Sequence, residues 1–303
     1  MPQQIHQTAC IDPTAKLGEN VIIGPYTIVE AQAQIGDRTE IAANVTIGEG
    51  TIIGTDNEIC RGAIIGGKPQ DISYQGEKSN VIIGSGNKIR EYATIHKATG
   101  EGKSTVVGDN NFIMSFVHLA HNVHLGSNIV LVNMVQLAGH VIVEDNATLG
   151  GMVAVPQFLR IGKLAMIGGY SRLFQDVPPF MLAEGNPAEV YSINKVGLRR
   201  NPQIASPESI PLIKEAYKII YRQGKNISQA VEAIGKECRI NGELPEQIEH
   251  LLEFLQASKK GISRSAQKPR ELLQTENSGL TETQPFFEKM RDALNKKIHR
   301  VSK

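Results

Sequence analysis

One stretch of the chain, residues 112–140, contains four of its eight histidines: His118, His121, His124 and His140. An imidazole with an unperturbed pKa of about 6.5 accepts a proton from a hydroxyl group at neutral pH. A backbone N–H beside it can stabilise the oxyanion that forms when a carbonyl is attacked. These are the minimum parts for acyl transfer. The sequence has no GxSxG nucleophile elbow and no P-loop, which favours direct attack by a substrate hydroxyl over a covalent enzyme intermediate.

A six-residue repeat positions these histidines. Stepping by six from Ile5 gives an aliphatic residue at every step to Ile65, and the same register runs from Val107 to Leu173. This period is neither the 2 of a strand nor the 3.6 of a helix. It is typical of a hexapeptide β-helix, in which each hexapeptide makes one short parallel strand and one corner. We therefore predict a mainly β fold, a parallel β-helix with aliphatic inward positions.

The repeat also predicts which side chains stack. Three hexapeptides close one coil, so residues 18 apart lie one strand spacing, about 4.8 Å, from each other. His121 follows an inward position by two residues and is expected at an outward corner. Gly139 would stack on it, leaving space beside the imidazole and directing its N–H into that space. We expect His121 to be the catalytic residue and Gly139 the oxyanion donor. The other members of the same outer patch are predicted to be His118, His140 and Gln157.

Composition narrows the function classes. The formal net charge of the 303 residues is +1, which gives no electrostatic reason to expect nucleic-acid binding. The three cysteines are scattered, as in proteins of a reducing compartment. The N-terminus lacks an apolar signal core, and no apolar run is long enough to span a membrane. We expect a cytoplasmic protein without a transmembrane segment.

Breaks in the repeat divide the chain. We predict the β-helix over residues 1–183, with excursion loops at 66–80 and 96–105. Ile83 is in six-residue phase with Ile65, but Asp71 and Glu77 occupy the steps between, so we interpret the shared phase as accidental. Residues 184–260 have helical periodicity and are predicted to form an α-helical C-terminal domain. Residues 261–303 are polar and are predicted to be a flexible extension that ends in a small amphipathic helix.

Several segments resemble one family closely, the acyl-carrier-protein-dependent UDP-N-acetylglucosamine O-acyltransferases that begin lipid A biosynthesis. The resemblance covers about residues 1–260. Besides the hexapeptide coils, it is carried by QDISYQGE, IREYATIH, HLAHNVHLG, LAGHV, GGMVAVPQF, IGGY, QDVPPF, EGNPA and GLRR.

The resemblance implies a left-handed β-helix and a homotrimer with active sites between neighbouring copies. It implies transfer of a 3-hydroxyacyl group from acyl carrier protein to the 3-hydroxyl of UDP-N-acetylglucosamine. No metal and no separate cofactor would be needed, since the acyl group arrives on the phosphopantetheine of the carrier. His121 matches the general base and Gly139 the oxyanion donor, while Gly169 matches a position that limits acyl-chain length. The substrate-binding positions implied are Asp71, Ser73, His118, His140, Gln157, Asn194 and Arg200.

The sequence departs from the family pattern at four positions. Asn122 stands where many relatives have an aspartate beside the base, which gives the imidazolium less charge support. Ser73 replaces a lysine of the sugar-binding loop, Pro156 replaces a histidine, and Val196 replaces a glutamate near the uracil. We expect weaker or altered substrate recognition from these changes.

Two other functions fit parts of the pattern. An N-acyltransferase that acts on a related amino-sugar nucleotide shares the coils, but such relatives usually carry an N-terminal uridine-binding domain, and here coils begin at Ile5. A β-helical zinc carbonic anhydrase also uses clustered histidines. Whether the acceptor group is a 3-hydroxyl or a 3-amine remains open at this point.

Overall fold

The computed structural model describes residues 4–265. The amphipathic helix predicted near the end of the chain lies outside the described residues. Within them, the strands are β1 (Gln4–Ile5), β2 (Cys10–Ile11), β3 (Lys16–Leu17), β4 (Ile22–Ile23), β5 (Ile28–Val29), β6 (Gln34–Ile35), β7 (Glu40–Ile41), β8 (Thr46–Ile47), β9 (Ile52–Ile53), β10 (Glu58–Ile59), β11 (Ile64–Gly67), β12 (Asn80–Ile83), β13 (Lys88–Ile89), β14 (Thr94–His96), β15 (Ser104–Val107), β16 (Phe112–Ile113), β17 (His118–Leu119), β18 (His124–Leu125), β19 (Val130–Leu131), β20 (Gln136–Leu137), β21 (Ile142–Val143), β22 (Thr148–Leu149), β23 (Ala154–Val155), β24 (Arg160–Ile161), β25 (Met166–Ile167), β26 (Met181–Gly185) and β27 (Ala188–Ile193). The helices are α1 (Lys195–Arg200), α2 (Ser209–Arg222), α3 (Ile227–Glu237) and α4 (Glu246–Ala257).

The first 25 strands form three parallel faces of a β-helix, as predicted. Face A contains every third strand from β1 to β25, face B every third strand from β2 to β23, and face C every third strand from β3 to β24. Paired residues in uninterrupted coils are 18 apart, as in Leu119↔Leu137. The second residue of each strand points inward, and Ile23, Ile41 and Ile59 are each only 1% exposed. Each such side chain stabilises the stack by roughly 1.5–3 kcal/mol.

Both excursions leave the scaffold at one corner, where the chain passes from face B to face C; we call it the B–C corner. Residues 68–79 connect β11 to β12, and residues 97–103 connect β14 to β15. Ile65 and Ile83 therefore lie on different faces, which confirms that their shared phase is accidental. Both loops are slightly shorter than predicted because the strands that flank them are longer. Strands β12 and β15 pair with each other over four residues, and Gly67 of β11 pairs with His96 of β14.

The boundary predicted at residue 183 is wrong. Strand β26 pairs in parallel with β25, and β27 returns antiparallel to β26, so a hairpin extends face A to Ile193. The hairpin has no six-residue period, and its reversal uses Gly185 in a left-handed conformation, with φ of 110°. The sequence rule for coils gives no signal for such a pair.

All four helices lie within residues 184–260, the region predicted to be helical. Asn226 begins α3 with a capping box, in which it exchanges hydrogen bonds with Gln229. Helix α4 contacts the last coils: His250 Nε2 lies 2.7 Å from Glu144 Oε2, and the Arg160 guanidinium lies 4.2 Å from the centre of the Phe254 ring. The helical region therefore covers the apolar end of the stack, as a solenoid requires. No helix within residues 4–265 combines the length and apolarity needed to cross a bilayer.

Residues 261–265, which we call the strap, are not part of a loose extension as predicted. The Asp176 N–H donates to Gly261 O at 3.0 Å, Ser263 N–H to Asp176 O at 2.8 Å, and Val190 N–H to Arg264 O at 2.8 Å. Ser263 is only 2% exposed. The strap adds backbone hydrogen bonds to an edge that the coils and the hairpin leave open, which a reading of polar composition cannot detect.

The strap predicts a difference between two truncations. A chain ending at residue 260 loses three backbone hydrogen bonds that a chain ending at residue 265 keeps. At about 0.5–1.5 kcal/mol for each bond, its free energy of unfolding should be lower by about 2–4 kcal/mol. Denaturant unfolding of the two shortened proteins measures this difference directly. Equal stability would contradict a structural role for the strap.

Candidate active site

The B–C corner carries a ladder of rings. The His121 and His140 rings meet edge to face at 5.3 Å between centroids, and the His140 and Phe158 rings stack at 4.7 Å. The backbone enforces this order, since His140 N–H donates to His121 O and Phe158 N–H donates to Gly139 O, both at 3.1 Å. These hydrogen bonds join residues 19 apart, and the His140 and Phe158 rings, which are 18 apart, stack as the repeat predicted.

Gly139 lies directly against the His121 imidazole. A Cβ placed on Gly139 would come within 2.5 Å of His121 Nε2 and 3.0 Å of Nδ1, so any other residue would displace the ring. No acceptor among residues 4–265 takes the Gly139 N–H. The lack of a side chain at Gly139 therefore makes room for the imidazole itself, which fills the space that was predicted to be open. The role of the Gly139 N–H as the oxyanion donor stays a prediction.

His121 is buried, not open to solvent as its corner position suggested. Its exposure is 3% because the two excursion loops fold over it. Asp71 in the first loop brings Oδ2 to 3.7 Å from His121 Nε2. The Ser73 N–H and hydroxyl donate to Asp71 Oδ1 at 2.9 and 2.8 Å. These hydrogen bonds lower the pKa of Asp71, with smaller contributions from Thr99 and His121, so an ionised carboxylate faces the imidazole.

The two loops support each other. The Gly100 N–H donates to Glu77 Oε1 at 2.8 Å, and the Lys78 N–H donates to Glu101 Oε2 at 3.1 Å. The first of these bonds is the main reason that the pKa of Glu77 is lowered. The loop that carries Asp71 is thus tied to the second loop, and the second loop is tied to the corner through Asn122.

Asn122 fixes the tautomer of His121. The Thr99 N–H donates to Asn122 Oδ1 at 3.0 Å, and Asn122 Nδ2 donates to Thr99 O at 3.1 Å, so the backbone sets the orientation of the amide. The same Oδ1 lies 3.0 Å from His121 Nδ1. Because an amide oxygen only accepts, Nδ1 carries the proton in this contact and Nε2 keeps its lone pair. Asn122 thereby supplies the orientation of a carboxylate without its charge.

The neighbouring histidines are held neutral. Burial lowers the pKa of His96 to about 4, and His118 and His121 add to the effect. Burial also lowers the pKa of His118 and of His140, again with a contribution from His121. At neutral pH, His96, His118 and His140 are therefore uncharged imidazoles beside His121, and the ionised carboxylate of Asp71 faces the His121 ring.

His96 is a member of this cluster that the sequence reasoning missed. Its ring meets the His118 ring edge to face at 4.8 Å, and His118 Nδ1 hydrogen-bonds Thr94 Oγ1 at 2.8 Å. His96 is 8% exposed, and its Nδ1 has no partner among the described residues. The sequence could have indicated His96 through its place at the start of the second excursion, in the coil before that of His118.

Comparisons with known proteins show what the chain is similar to. A family model described as UDP-N-acetylglucosamine O-acyltransferase, domain 2, matches residues 176–263, and a bacterial transferase hexapeptide model matches residues 14–49 and 104–139. The acyl-[acyl-carrier-protein]–UDP-N-acetylglucosamine O-acyltransferase of Paraburkholderia phymatum is 44% identical over 262 residues, which is 86% of this chain and 99% of the relative. The protein of the same name from Thermodesulfovibrio yellowstonii is 47% identical with the same coverage.

The chain belongs to this O-acyltransferase family.

Solved structures of the family confirm the fold class. The Francisella novicida UDP-N-acetylglucosamine acyltransferase is 38% identical with a TM-score of 0.81, covering 87% of this chain and 95% of that one. The Bacteroides fragilis enzyme is 39% identical with a TM-score of 0.82, covering 86% of this chain and all of that one. Family membership also rules out the carbonic anhydrase reading. Within residues 4–265, no group of three metal-ligating side chains could hold a metal ion.

In this O-acyltransferase, the predicted site residues fall into separate groups. The B–C corner and its loops bring together Asp71, Ser73, His118, His121, Gly139 and His140, and exposed Gln157 lies beside Phe158 on the same ladder. Gly169 lies at another corner, between face A and face B, where Gly151 stacks beneath it.

Asn194 and Arg200 belong to the C-terminal region, at neither of those corners. Asn194 begins α1: its Oδ1 accepts the Gly197 N–H at 2.9 Å, and its Nδ2 donates to Leu164 O at 2.9 Å. Leu164 lies where the chain passes from face C to face A. One chain therefore places its predicted base together with Gln157, its predicted acyl-limiting glycine, and Asn194 at three different corners.

Proposed function

We propose that this chain transfers a 3-hydroxyacyl group from acyl carrier protein to the 3-hydroxyl of UDP-N-acetylglucosamine, with His121 as the general base. The relatives' names give acyl-carrier protein as the acyl donor and UDP-N-acetylglucosamine as the acceptor, while the 3-hydroxyacyl group and the 3-hydroxyl are what the family resemblance implies. One observation carries the choice of base: the Asn122 amide, oriented by Thr99, holds His121 with a proton on Nδ1 and a free lone pair on Nε2. Nε2 is the atom that lies beside Gly139 and faces Asp71.

The reaction then proceeds in two steps. His121 Nε2 takes the proton of the sugar hydroxyl as its oxygen attacks the thioester carbonyl, and the Gly139 N–H stabilises the resulting oxyanion. The tetrahedral intermediate collapses, the C–S bond breaks, and the imidazolium returns its proton to the departing phosphopantetheine thiolate. The products are the O-acyl sugar nucleotide and free carrier thiol, and His121 is regenerated neutral.

Asp71 and the neutral histidines favour this cycle. The ionised Asp71 carboxylate, 3.7 Å from Nε2, stabilises the imidazolium that forms in the first step. Since Asn122 brings no charge, Asp71 is the only carboxylate among the described residues that lies against the His121 ring. Ser73 is too short to reach substrate as a lysine does, and instead holds Asp71 in place through two hydrogen bonds. His118 and His140, both neutral, contribute contacts to the sugar rather than charge.

We further propose that the functional unit is a homotrimer with sites between neighbouring copies. Gln157, Asn194 and Arg200 would contact the nucleotide, yet in one chain Asn194 lies away from the B–C corner. A neighbouring copy would bring its own C-terminal region to that corner. The corner between face A and face B also presents an exposed apolar ridge, in which Tyr92 and Phe116 stack at 5.3 Å. The other members of the ridge are Met134, Met152 and Tyr170.

Replacing the base tests the mechanism. His121→Ala should lower kcat by about 10²–10⁴-fold, the usual contribution of general-base catalysis, because it removes the nitrogen that would take the hydroxyl proton. Turnover is measured by mass spectrometry with UDP-N-acetylglucosamine and a panel of acyl-carrier thioesters. His124→Ala is the matched control, since His124 lies on exposed face C in the same segment. Light scattering should give the mass of three chains for all variants. A trimeric His121→Ala protein with near-normal turnover would remove His121 as the base.

Gly169 offers a test of acyl selection. A Cβ on Gly169 would lie 3.3 Å from Gly151 O, so a small side chain fits with slight adjustment and a long one would project into the space that the glycines leave. Gly169→Met should shift the preferred donor to shorter acyl chains, and Gly169→Ala should shift it less. Turnover with the shortest accepted donor serves as the internal control. An unchanged preference in the methionine variant would place the acyl groove elsewhere.

A further inference from the structure

The ring ladder of the B–C corner ends in a group of cations. Beyond Phe158, the residues that lead into the strap cross the corner, and Lys260 Nζ lies 5.6 Å from the centre of the Phe158 ring. The Gln175 side chain holds this segment by donating to Lys260 O at 3.5 Å. The Arg172 guanidinium lies 4.8 Å over the Phe174 ring, on the next coil.

A cavity adjoins these cations. Its volume is about 330 Å³, and its lining residues are Phe174, Gln175, Pro187, Ala188, Glu189, Ser263 and Arg264. The side chains of Lys260, Arg172 and Arg264 are exposed, and none of them forms an ion pair with a carboxylate within residues 4–265. Glu189 is the one acidic residue of the lining. Asp176, which is nearby, is buried and accepts hydrogen bonds from Arg160 N–H and the Ser258 hydroxyl. The exposed side chains around this cavity therefore carry a net positive charge.

We propose that Lys260, Arg172 and Arg264 bind the phosphodiester at the head of the carrier's phosphopantetheine arm, and that the arm lies along the B–C corner from there to His121. The proposal rests on the function proposed above and adds the site at which its donor substrate is held. An ammonium and two guanidinium groups are suited to a phosphate monoanion. Phe158, between the two ends, is half-exposed, and its free edge is suited to the apolar part of the arm.

The spacing agrees with this assignment. The ring centres of His121, His140 and Phe158 follow each other at 5.3 and 4.7 Å, and Lys260 Nζ lies 5.6 Å from the Phe158 ring centre, so Lys260 Nζ is at most about 16 Å from the His121 ring centre. The arm has the backbone length of between four and five residues, and therefore spans roughly 15–17 Å from phosphorus to sulfur when extended. With its phosphate at the cations, the thioester carbon reaches the imidazole. A phosphate bound much closer to His121 would force the arm to fold back.

Charge reversal at Lys260 tests the proposal with three donors that carry the same acyl group. These are the acyl-carrier protein, acyl-4′-phosphopantetheine and acyl-pantetheine, which lacks the phosphate. Lys260→Glu should raise KM for the first two by about five- to twentyfold, because an attraction to phosphate becomes a repulsion. KM for acyl-pantetheine, KM for UDP-N-acetylglucosamine and kcat should stay at their wild-type values. The effect should shrink as salt is added, since the cations are exposed.

Three further variants make the result interpretable. Lys260→Arg keeps the charge and should keep the wild-type KM. Arg172→Glu reverses the charge of a cation in a different segment of the chain. It should independently raise KM for the two donors that carry the phosphate. Lys16→Glu makes the same charge change on the exposed surface of β3, near the other end of the stack, and should change neither KM.

The remaining outcomes would overturn the assignment. An equal rise in KM for acyl-pantetheine would mean that the cations contact something other than the phosphate. A rise in KM for UDP-N-acetylglucosamine, with donor KM unchanged, would assign them to the nucleotide diphosphate. Unchanged kinetics in both Lys260→Glu and Arg172→Glu would leave the cations without a role in donor binding. Absence of acyl transfer by the wild-type protein with all three donors would instead refute the proposed function itself.

Discussion

The structure depends on one constraint, the backbone ladder that pairs each residue with the residue one coil away. His118 N–H donates to Val135 O at 2.9 Å and Ala120 N–H donates to Leu137 O at 3.0 Å, and bonds of this kind recur along all three faces. Once inward positions are aliphatic, the ladder fixes which corner positions stack on each other. Corner side chains can then carry chemistry without disturbing the core. His121 and Gly139 adjoin because they hold the same position in successive coils.

The ladder alone would leave His121 at an open surface, and the loops complete the site. Both excursions leave the B–C corner in the two coils that precede His121, so both can fold over it. Asn122 joins the two systems: its backbone belongs to the ladder, while its side chain bonds both His121 and Thr99. Asn122 therefore orients the imidazole without adding a charge of its own, and it also anchors a loop. The charge comes from Asp71, at the other nitrogen of the ring.

The periodic part of the molecule could be predicted from sequence, and the rest could not, for a physical reason. The inward positions of Ile23 and Leu119 and the stacking of Gly139 on His121 follow from the six-residue period, which can be recognised in each short segment of the sequence. The burial of His121, the partners of Asn122 and the contact of His96 with His118 involve the aperiodic loops or their first residues, whose contacts link residues distant in sequence. The strap and the hairpin of β26 and β27 likewise depend on pairing with an existing edge. The period carries no information about those contacts.

The protonation state of His121 is the most direct test of this account. Long-range ¹H–¹⁵N spectra of the protein labelled with [¹⁵N]histidine, with His121 assigned by comparison with His121→Gln, distinguish the two nitrogens of a neutral ring. Near neutral pH and without substrate, the neutral form of His121 should carry its proton on Nδ1, and Nε2 should have the shift of an unprotonated nitrogen. A neutral ring with its proton on Nε2 would contradict the account, because the nitrogen that faces Asp71 and Gly139 would then be unable to accept the substrate's proton.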